Sequence, residues 1–353
     1  MKNEMRALID KLISEHRLST EEYEALLLGR DEETAAYLAA AAVSERDRLY
    51  GPKVFVRGLI EISNICKNDC NYCGIRRSNR SCERYRLTPE EIAACADEGY
   101  TLGFRTVVLQ GGEDAFFTDE VLVNLVHAIK TEHPDMAVTL SLGERTRESY
   151  RKLREAGVDR YLLRHETANR EHYRSLHPAE MDYDNRMRCL RDLKELGFQT
   201  GCGFMVGSPN QTMRHLAEDL SFIESFRPEM CGIGPFLPHH ATPYADMPAG
   251  SAELTCYLLS ILRLIHPALL LPATTALGTL HPQGRELGIR AGANVLMPNL
   301  SPVRVRKQYE LYDNKICTGE ESAQCLRCLE VRVQSVGCEI DRGRGDFLPE
   351  APT

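Results

Sequence analysis

Two periodicities divide the chain. The first fifty residues carry helical patterning and helix punctuation. In STEEYEALLLG, Ser19 stands as an N-cap with Glu22 three residues on, a capping box, and Gly29 as a stop. DEETAAYLAAAAVSERDRLYG repeats the device, with Asp31 leading and Gly51 closing. From residue 54 short apolar runs recur, each followed by a polar turn and a helical stretch. The runs are VFVRGLIEIS, TVVLQGG, AVTLSLG, RYLLRHET, QTGCGFMVG, MCGIGPF, LLLPATTA and ANVLMP. Segments between them, such as TPEEIAACADEGYTLG and TDEVLVNLVHAIKTEH, carry capping residues and helical periodicity. Eight strands alternating with helices predict a parallel sheet.

Eight such units predict an α/β fold, a (β/α)8 TIM-type barrel. A doubly wound open sheet is the alternative, but no GxGxxG follows the first strand. The expected organisation is an N-terminal helical appendage over 1–51, the barrel over 52–303, and a C-terminal cysteine-containing appendage over 304–353. Polar residues cluster at the C-terminal ends of the strands, in GGED, SLGE, RHET, PHH, ATT and PN. That rim is where barrels build active sites.

A net charge of −8 over 353 residues weighs against a nucleic-acid partner. MKNEMRALIDKLISEH lacks the apolar stretch of a secretory signal. No apolar run reaches the roughly 18 residues of a membrane span. YLLSILRLIHPALLLPA is broken by Arg263, His266 and prolines. A cytoplasmic, monomeric protein is expected. Thirteen cysteines, an odd number, fit poorly with a disulfide framework. Cys82, Cys95, Cys189, Cys202, Cys231, Cys256 and Cys338 are scattered and read as small buried hydrophobes.

The exception is ICKNDCNYCGIRR, where Cys66, Cys70 and Cys73 form C-x3-C-x2-C without a fourth ligand nearby. Three thiolates hold three corners of a cubane iron–sulfur cluster and leave the fourth iron open to exogenous chemistry. A zinc site is the rival reading, but it wants a second ligand pair, and the next fifty residues offer only Cys82 and Cys95.

With Tyr72 before the third cysteine, in the loop after the first barrel strand, the motif resembles the radical S-adenosylmethionine superfamily. The resemblance implies a [4Fe–4S] cluster on Cys66, Cys70 and Cys73, with S-adenosylmethionine on the open iron. It also implies an electron donor and reductive cleavage to a 5′-deoxyadenosyl radical. LQGGED resembles the family's GGE motif, which makes Gly111, Gly112 and Glu113 cofactor-binding. Glu166 and Arg186 resemble residues holding the ribose or methionine end and the methionine carboxylate. Tyr72, Ser141 and Tyr309 join the expected cofactor contacts. Thr139 and Ser141 alternate on the third strand and so share a face, with Thr274 and Thr275 on the seventh. Together with Arg164 they suggest an anion pocket. Met205 and Met297 read as core; His239 and His240 are polar candidates in a loop.

Longer segments resemble the [FeFe]-hydrogenase maturase HydE family, from about Phe55 to Cys328. They include RGLIEISNICKNDCNYCGIRRSNRSCERYRLTPEEI, RYLLRHETAN, GIGPFLPH and PATTALGT. Cys317, Cys325 and Cys328, in KICTGEESAQCLRC, match a possible second cluster. The resemblance implies assembly of the hydrogenase diiron subcluster from a cysteine-bound iron carbonyl–cyanide complex. Its implied partners are the maturases HydG and HydF. Rivals are a methylornithine-synthase-like mutase, a biotin-synthase-like enzyme, and a zinc or redox module that is no enzyme.

Overall fold

The computed structural model describes residues 2–319 and 326–349. Both predicted capping boxes form. Ser19 Oγ accepts the Glu22 N–H while the Glu22 carboxylate accepts the Ser19 N–H, and Asp31 and Thr34 repeat the exchange. Gly29 and Gly51 follow the helices Thr20–Leu28 and Glu32–Tyr50. These helices are not free-standing. Tyr23, Leu26, Leu27 and Leu38 are fully buried in the same apolar cluster as the strands. Buried Arg46 donates to the carbonyls of Ile289 and Ala293, which ties the helix Glu32–Tyr50 to the helix Gly284–Arg290 and the turn after it.

The strands are β1 (Lys53–Val56), β2 (Gly58–Ser63), β3 (Thr106–Gly111), β4 (Ala137–Ser141), β5 (Arg160–Leu162), β6 (Gln199–Cys202), β7 (Met205–Val206), β8 (Met230–Cys231), β9 (Gly234–Pro235), β10 (Val295–Leu296) and β11 (Glu339–Asp341). A six-stranded parallel sheet runs β2-β3-β4-β5-β6-β8. Every residue of β2 is buried, as a parallel sheet covered on both faces requires. β10-β1-β11 and β7-β9 form two smaller parallel sheets.

The closed ring of eight continuous strands expected from the sequence is not formed. The LLLPATTA run makes only single bridges, Met230 to Leu270 and Pro272 to Val295. Pro272 has no N–H for a ladder. Thr274 is not a strand residue: its hydroxyl caps the helix Thr275–Leu280 by accepting the Leu277 N–H. Between β6 and β7, Gly203 packs against Gly232, and a Cβ on it would lie 2.1 Å from the Gly232 carbonyl oxygen. That close approach interrupts two strands at once. The C-terminal ends of the strands nevertheless share one rim.

Candidate active site

The cysteine loop leaves β2 and is folded by its own polar residues. Arg84 donates to the carbonyls of Asn64, Ile75, Arg76 and Asn79, and so joins the start of the cysteine loop to its end. Asn64 accepts the Tyr85 N–H and donates to the carbonyls of Glu83 and Gln308. The glycine pair after β3 presses on this loop. A Cβ at Gly112 would stand 2.3 Å from the Ile65 oxygen and 2.8 Å from Cys66 Cβ. Gly112 is thus required by the cysteine loop itself. Glu113 braces the same loop, pairing with Lys67 at 2.9 Å and accepting the Glu144 N–H at 3.2 Å.

Cys66, Cys70 and Cys73 are free thiols. Burial pushes all three up, Cys70 to about 12, and the neighbouring thiols add to the rise at Cys70 and Cys73. Three thiolates here need a strongly cationic centre. Among the described residues, the group whose three ligand atoms all lie within 4.8 Å of one another is His239, His240 and Asp313. The three thiols are more widely spread than that. Sulfurs on one tetrahedral zinc would sit about 3.8 Å apart, given Zn–S near 2.3 Å. The three thiols are thus not gathered as the ligands of one zinc ion would be.

Between these cysteines and the strand ends lies a cavity of about 290 Å³. Cys66, Tyr72, Cys73, Gly111, Gly112, Glu113, Ser141, Arg164, Glu166, Arg186, Met205, Thr274 and Tyr309 line it. Thr139, Cys70 and Thr275 do not. Thr139 lies two residues back along β4, buried, its hydroxyl without a partner. Cys70 Sγ sits 3.6 Å from Met181 Sδ. Thr275 opens the short helix.

Arg164 and Glu166 fall beyond the end of β5 but still face the cavity. Arg164 donates to the Phe204 carbonyl. Its Nε lies 3.5 Å from Glu166 Oε2, and both atoms are buried without a hydrogen bond. Glu166 has a φ of 65°. A non-glycine residue there costs on the order of 1–3 kcal/mol, a cost that clusters at ligand sites. Arg186 Nε lies 2.7 Å from Glu144 Oε1, out of line for a hydrogen bond. Burial opposes the Arg186 charge, but Tyr173, Glu144 and Glu113 outweigh it and hold the guanidinium protonated.

Several groups at the site carried no readable signal. Tyr72 O–H donates to His177 Nε2 at 3.2 Å, while His177 Nδ1–H donates to the Tyr173 carbonyl at 2.8 Å. Burial holds His177 neutral, down to about 3. Buried Glu61, on β2, accepts from Lys315 and from Asn299. Lys315 also donates to the Tyr309 carbonyl at 2.7 Å, fastening a strap that places Tyr309 over the cavity. Gln110, at the end of β3, donates to Tyr309 Oη at 3.4 Å; its place in LQGGED was the one available clue.

His239 and His240 stand at the strap's far end. His240 N and Nδ1 reach Asp313 at 2.9 and 2.8 Å. His239 Nδ1 accepts the Ala241 N–H, so its ring proton sits on Nε2 and neither nitrogen keeps a lone pair for a metal. The group is a tie between loops. Met297 is half-buried and packs against the small apolar cluster of Tyr50, Phe55 and Val295; Met205 is buried yet also faces the cavity. Of the second cysteine set, Cys317 Sγ contacts Arg285 at 2.9 Å and Cys328 is disulfide-bonded, while Cys325 lies outside the described residues.

The Radical SAM superfamily model matches residues 60–223, from β2 through the helix Met213–Phe226. The [FeFe] hydrogenase maturase subunit HydE of Thermotoga maritima is 46% identical over 300 residues, 85% of either chain. The crystal structure of methylornithine synthase (PylB) superposes with a TM-score of 0.79 at 27% identity, covering 95% of this chain and 97% of that one. The maturase HydG shares the fold, with a TM-score of 0.77 at 22% identity over 97% and 77% of the two chains. Superfamily membership brings a [4Fe–4S] cluster and S-adenosylmethionine, and three free, half-buried thiols beside a glycine cradle fit both. The chain belongs to the radical SAM superfamily and, within it, to the family of the [FeFe] hydrogenase maturase subunit HydE.

Proposed function

We propose that this chain is a radical S-adenosylmethionine enzyme of [FeFe]-hydrogenase maturation. Its substrate is a cysteine-bound iron carbonyl–cyanide complex, received from a HydG-type maturase and passed on to a HydF-type scaffold. The carrying observation is the cavity itself: cysteine thiols on one wall stand opposite the Arg164–Glu166 ion pair, whose Nε and Oε2 make no hydrogen bond. When bound, the cluster and S-adenosylmethionine supply the electron and the sulfonium from which a 5′-deoxyadenosyl radical arises. Cys66, Cys70 and Cys73 hold the cluster. Gly112 lets β3 approach the cysteine loop, Glu166 accepts hydrogen bonds from the cofactor's hydroxyls or amine, and Arg186 takes its carboxylate. Arg164, with Thr274 and Ser141, receives the carboxylate of an amino-acid-bearing substrate. Met205, Phe236 and Leu237 supply an apolar wall that excludes water.

We further infer that the bridges Met230–Leu270, Pro272–Val295 and Leu59–Asn299 complete the barrel between the sheets. The close superposition on methylornithine synthase favours one second reading, a mutase acting on a free amino acid.

Anaerobic reconstitution with iron and sulfide, then dithionite and S-adenosylmethionine, tests the reading. We expect 5′-deoxyadenosine, lost in Cys70→Ala. A colourless protein that cleaves nothing refutes it. Consumption of lysine, with no dependence on an iron–cysteine complex, establishes the mutase instead.

A further inference from the structure

Glu166 occupies a left-handed backbone conformation four residues beyond β5, and something must hold it there. On either side of it the chain is tied to one buried carboxyl. Asp219, in the helix Met213–Phe226, has no exposure, and its Oδ1 accepts the Ala168 N–H at 2.5 Å. The same oxygen faces His165 Nε2 at 3.2 Å. His165 is likewise wholly buried, and its Nδ1 accepts the Gly203 N–H at 3.3 Å, so the ring proton is on Nε2 and points at Asp219. Residues 165 and 168 are thereby pinned to one atom. Between them the Glu166 N–H donates to the Gly203 carbonyl at 3.0 Å, and the Glu166 carbonyl accepts the Met205 N–H at 3.4 Å.

We propose that Asp219 and His165 are positioning residues for S-adenosylmethionine: a buried brace that keeps Glu166 left-handed and its carboxylate turned into the cavity. This rests on the reading of Glu166 as a cofactor contact. Neither brace residue lines the cavity, so each acts through Glu166. The charge of Asp219 is not what matters. Burial raises its carboxyl well above the ordinary range and lowers His165 to about 3, so both are held neutral. Both hydrogen bonds fall on Oδ1, and Oδ2 has no partner. An asparagine keeps the accepting oxygen and therefore the brace.

The test uses the anaerobically reconstituted holoenzyme, with S-adenosylmethionine affinity read by equilibrium dialysis. The electron paramagnetic resonance change of the reduced cluster on cofactor addition gives a second readout. Asp219→Ala is expected to bind S-adenosylmethionine at least tenfold more weakly with native iron content, and D219N to bind within about threefold of native. Native affinity in D219A, or an equal loss in D219A and D219N, overturns the brace. Should D219A fail to fold, His165→Phe fills the same space without either hydrogen bond and is expected to show the same tenfold loss; native affinity there overturns the proposal. Glu166→Gln separates the two layers. If E166Q binds as native, the reading of Glu166 falls and the brace with it; if E166Q is weakened while D219A is not, only the brace falls.

Discussion

Replacing Lys315 by methionine isolates the clamp that holds the strap over the cavity. Glu61 is 1% exposed and its ammonium partner 7%, so neither charge has water to fall back on. Breaking a buried pair from one side strands the other charge, which costs about 3–5 kcal/mol. Asn299, 2.9 Å from Glu61 Oε2, offers one neutral hydrogen bond and offsets only part of that. At about 2 °C per kcal/mol for a chain of this length, K315M should melt about 6–10 °C below the native protein. The loss also falls on the strap, because Lys315 is what ties the Tyr309 carbonyl to β2. Hydrogen exchange in the 307–316 segment should accelerate in K315M, and the melting shift is read by calorimetry. The double variant E61Q/K315M removes both charges and leaves an amide oxygen for Asn299, so it should recover more than half of the shift. A K315M that melts within about 2 °C of native refutes the reasoning. So does a double variant no more stable than the single one.

Gly112→Ala should block cluster uptake without unfolding the protein, since its methyl collides with the Ile65 carbonyl and Cys66 Cβ; iron content after reconstitution measures this against native far-ultraviolet dichroism. Arg186→Ala removes a charge-assisted contact worth about 1.5–3 kcal/mol, so S-adenosylmethionine should bind roughly tenfold to a hundredfold more weakly, while unchanged affinity would reassign the residue. At the other end of the molecule, burial raises the Asp346 carboxyl, but Arg344, Gln199 and Arg160 outweigh it and hold it down to about 2. A depressed folded value contributes stability above the unfolded value near 4 and loses it as pH falls toward 2. The urea midpoint of Asp346→Asn should therefore lie below native at pH 7, with the gap closing between about pH 4 and pH 2.

What the sequence made legible was whatever acts within a few residues of itself. Capping boxes at Ser19 and Asp31 are i to i+3 events, and they form as written. The C-x3-C-x2-C spacing and the position of GGED were equally local. LLLPATTA misled because the apolar run outlasts its backbone role: Pro272 lacks the ladder donor, and a Thr-Thr pair caps a helix as readily as it extends a strand. Thr139 was placed on the right face but one layer too deep, since a period of two gives a face and not a depth. Glu61 and Lys315 lie 254 residues apart, and neither is distinguished in sequence from a surface charge. Asp219 sat in an ordinary amphipathic helix pattern. Only the fold reveals that its carboxyl has no water.

Two walls built from different parts of the chain face each other across this site, and the strap joins them. The cluster wall comes from the loops after β2 and β3, where a Cβ on Gly112 would collide with Cys66. The opposing wall comes from β5 to β9, where Arg164, Glu166 and Met205 look inward. The strap crosses between them. Its Leu311 carbonyl accepts the Gly74 N–H, one residue past Cys73, and its Gln308 carbonyl accepts from Asn64, two residues before Cys66. Tyr309 therefore sits where it does only if the cysteine loop holds its shape. These two contacts beside the thiols make the cavity roof depend on the cysteine loop, while Glu166 on the far wall depends on Asp219. On the proposed reading, a substitution that alters substrate preference without altering cofactor cleavage is to be sought away from the strap and from Glu166, with Met205 the first position to vary.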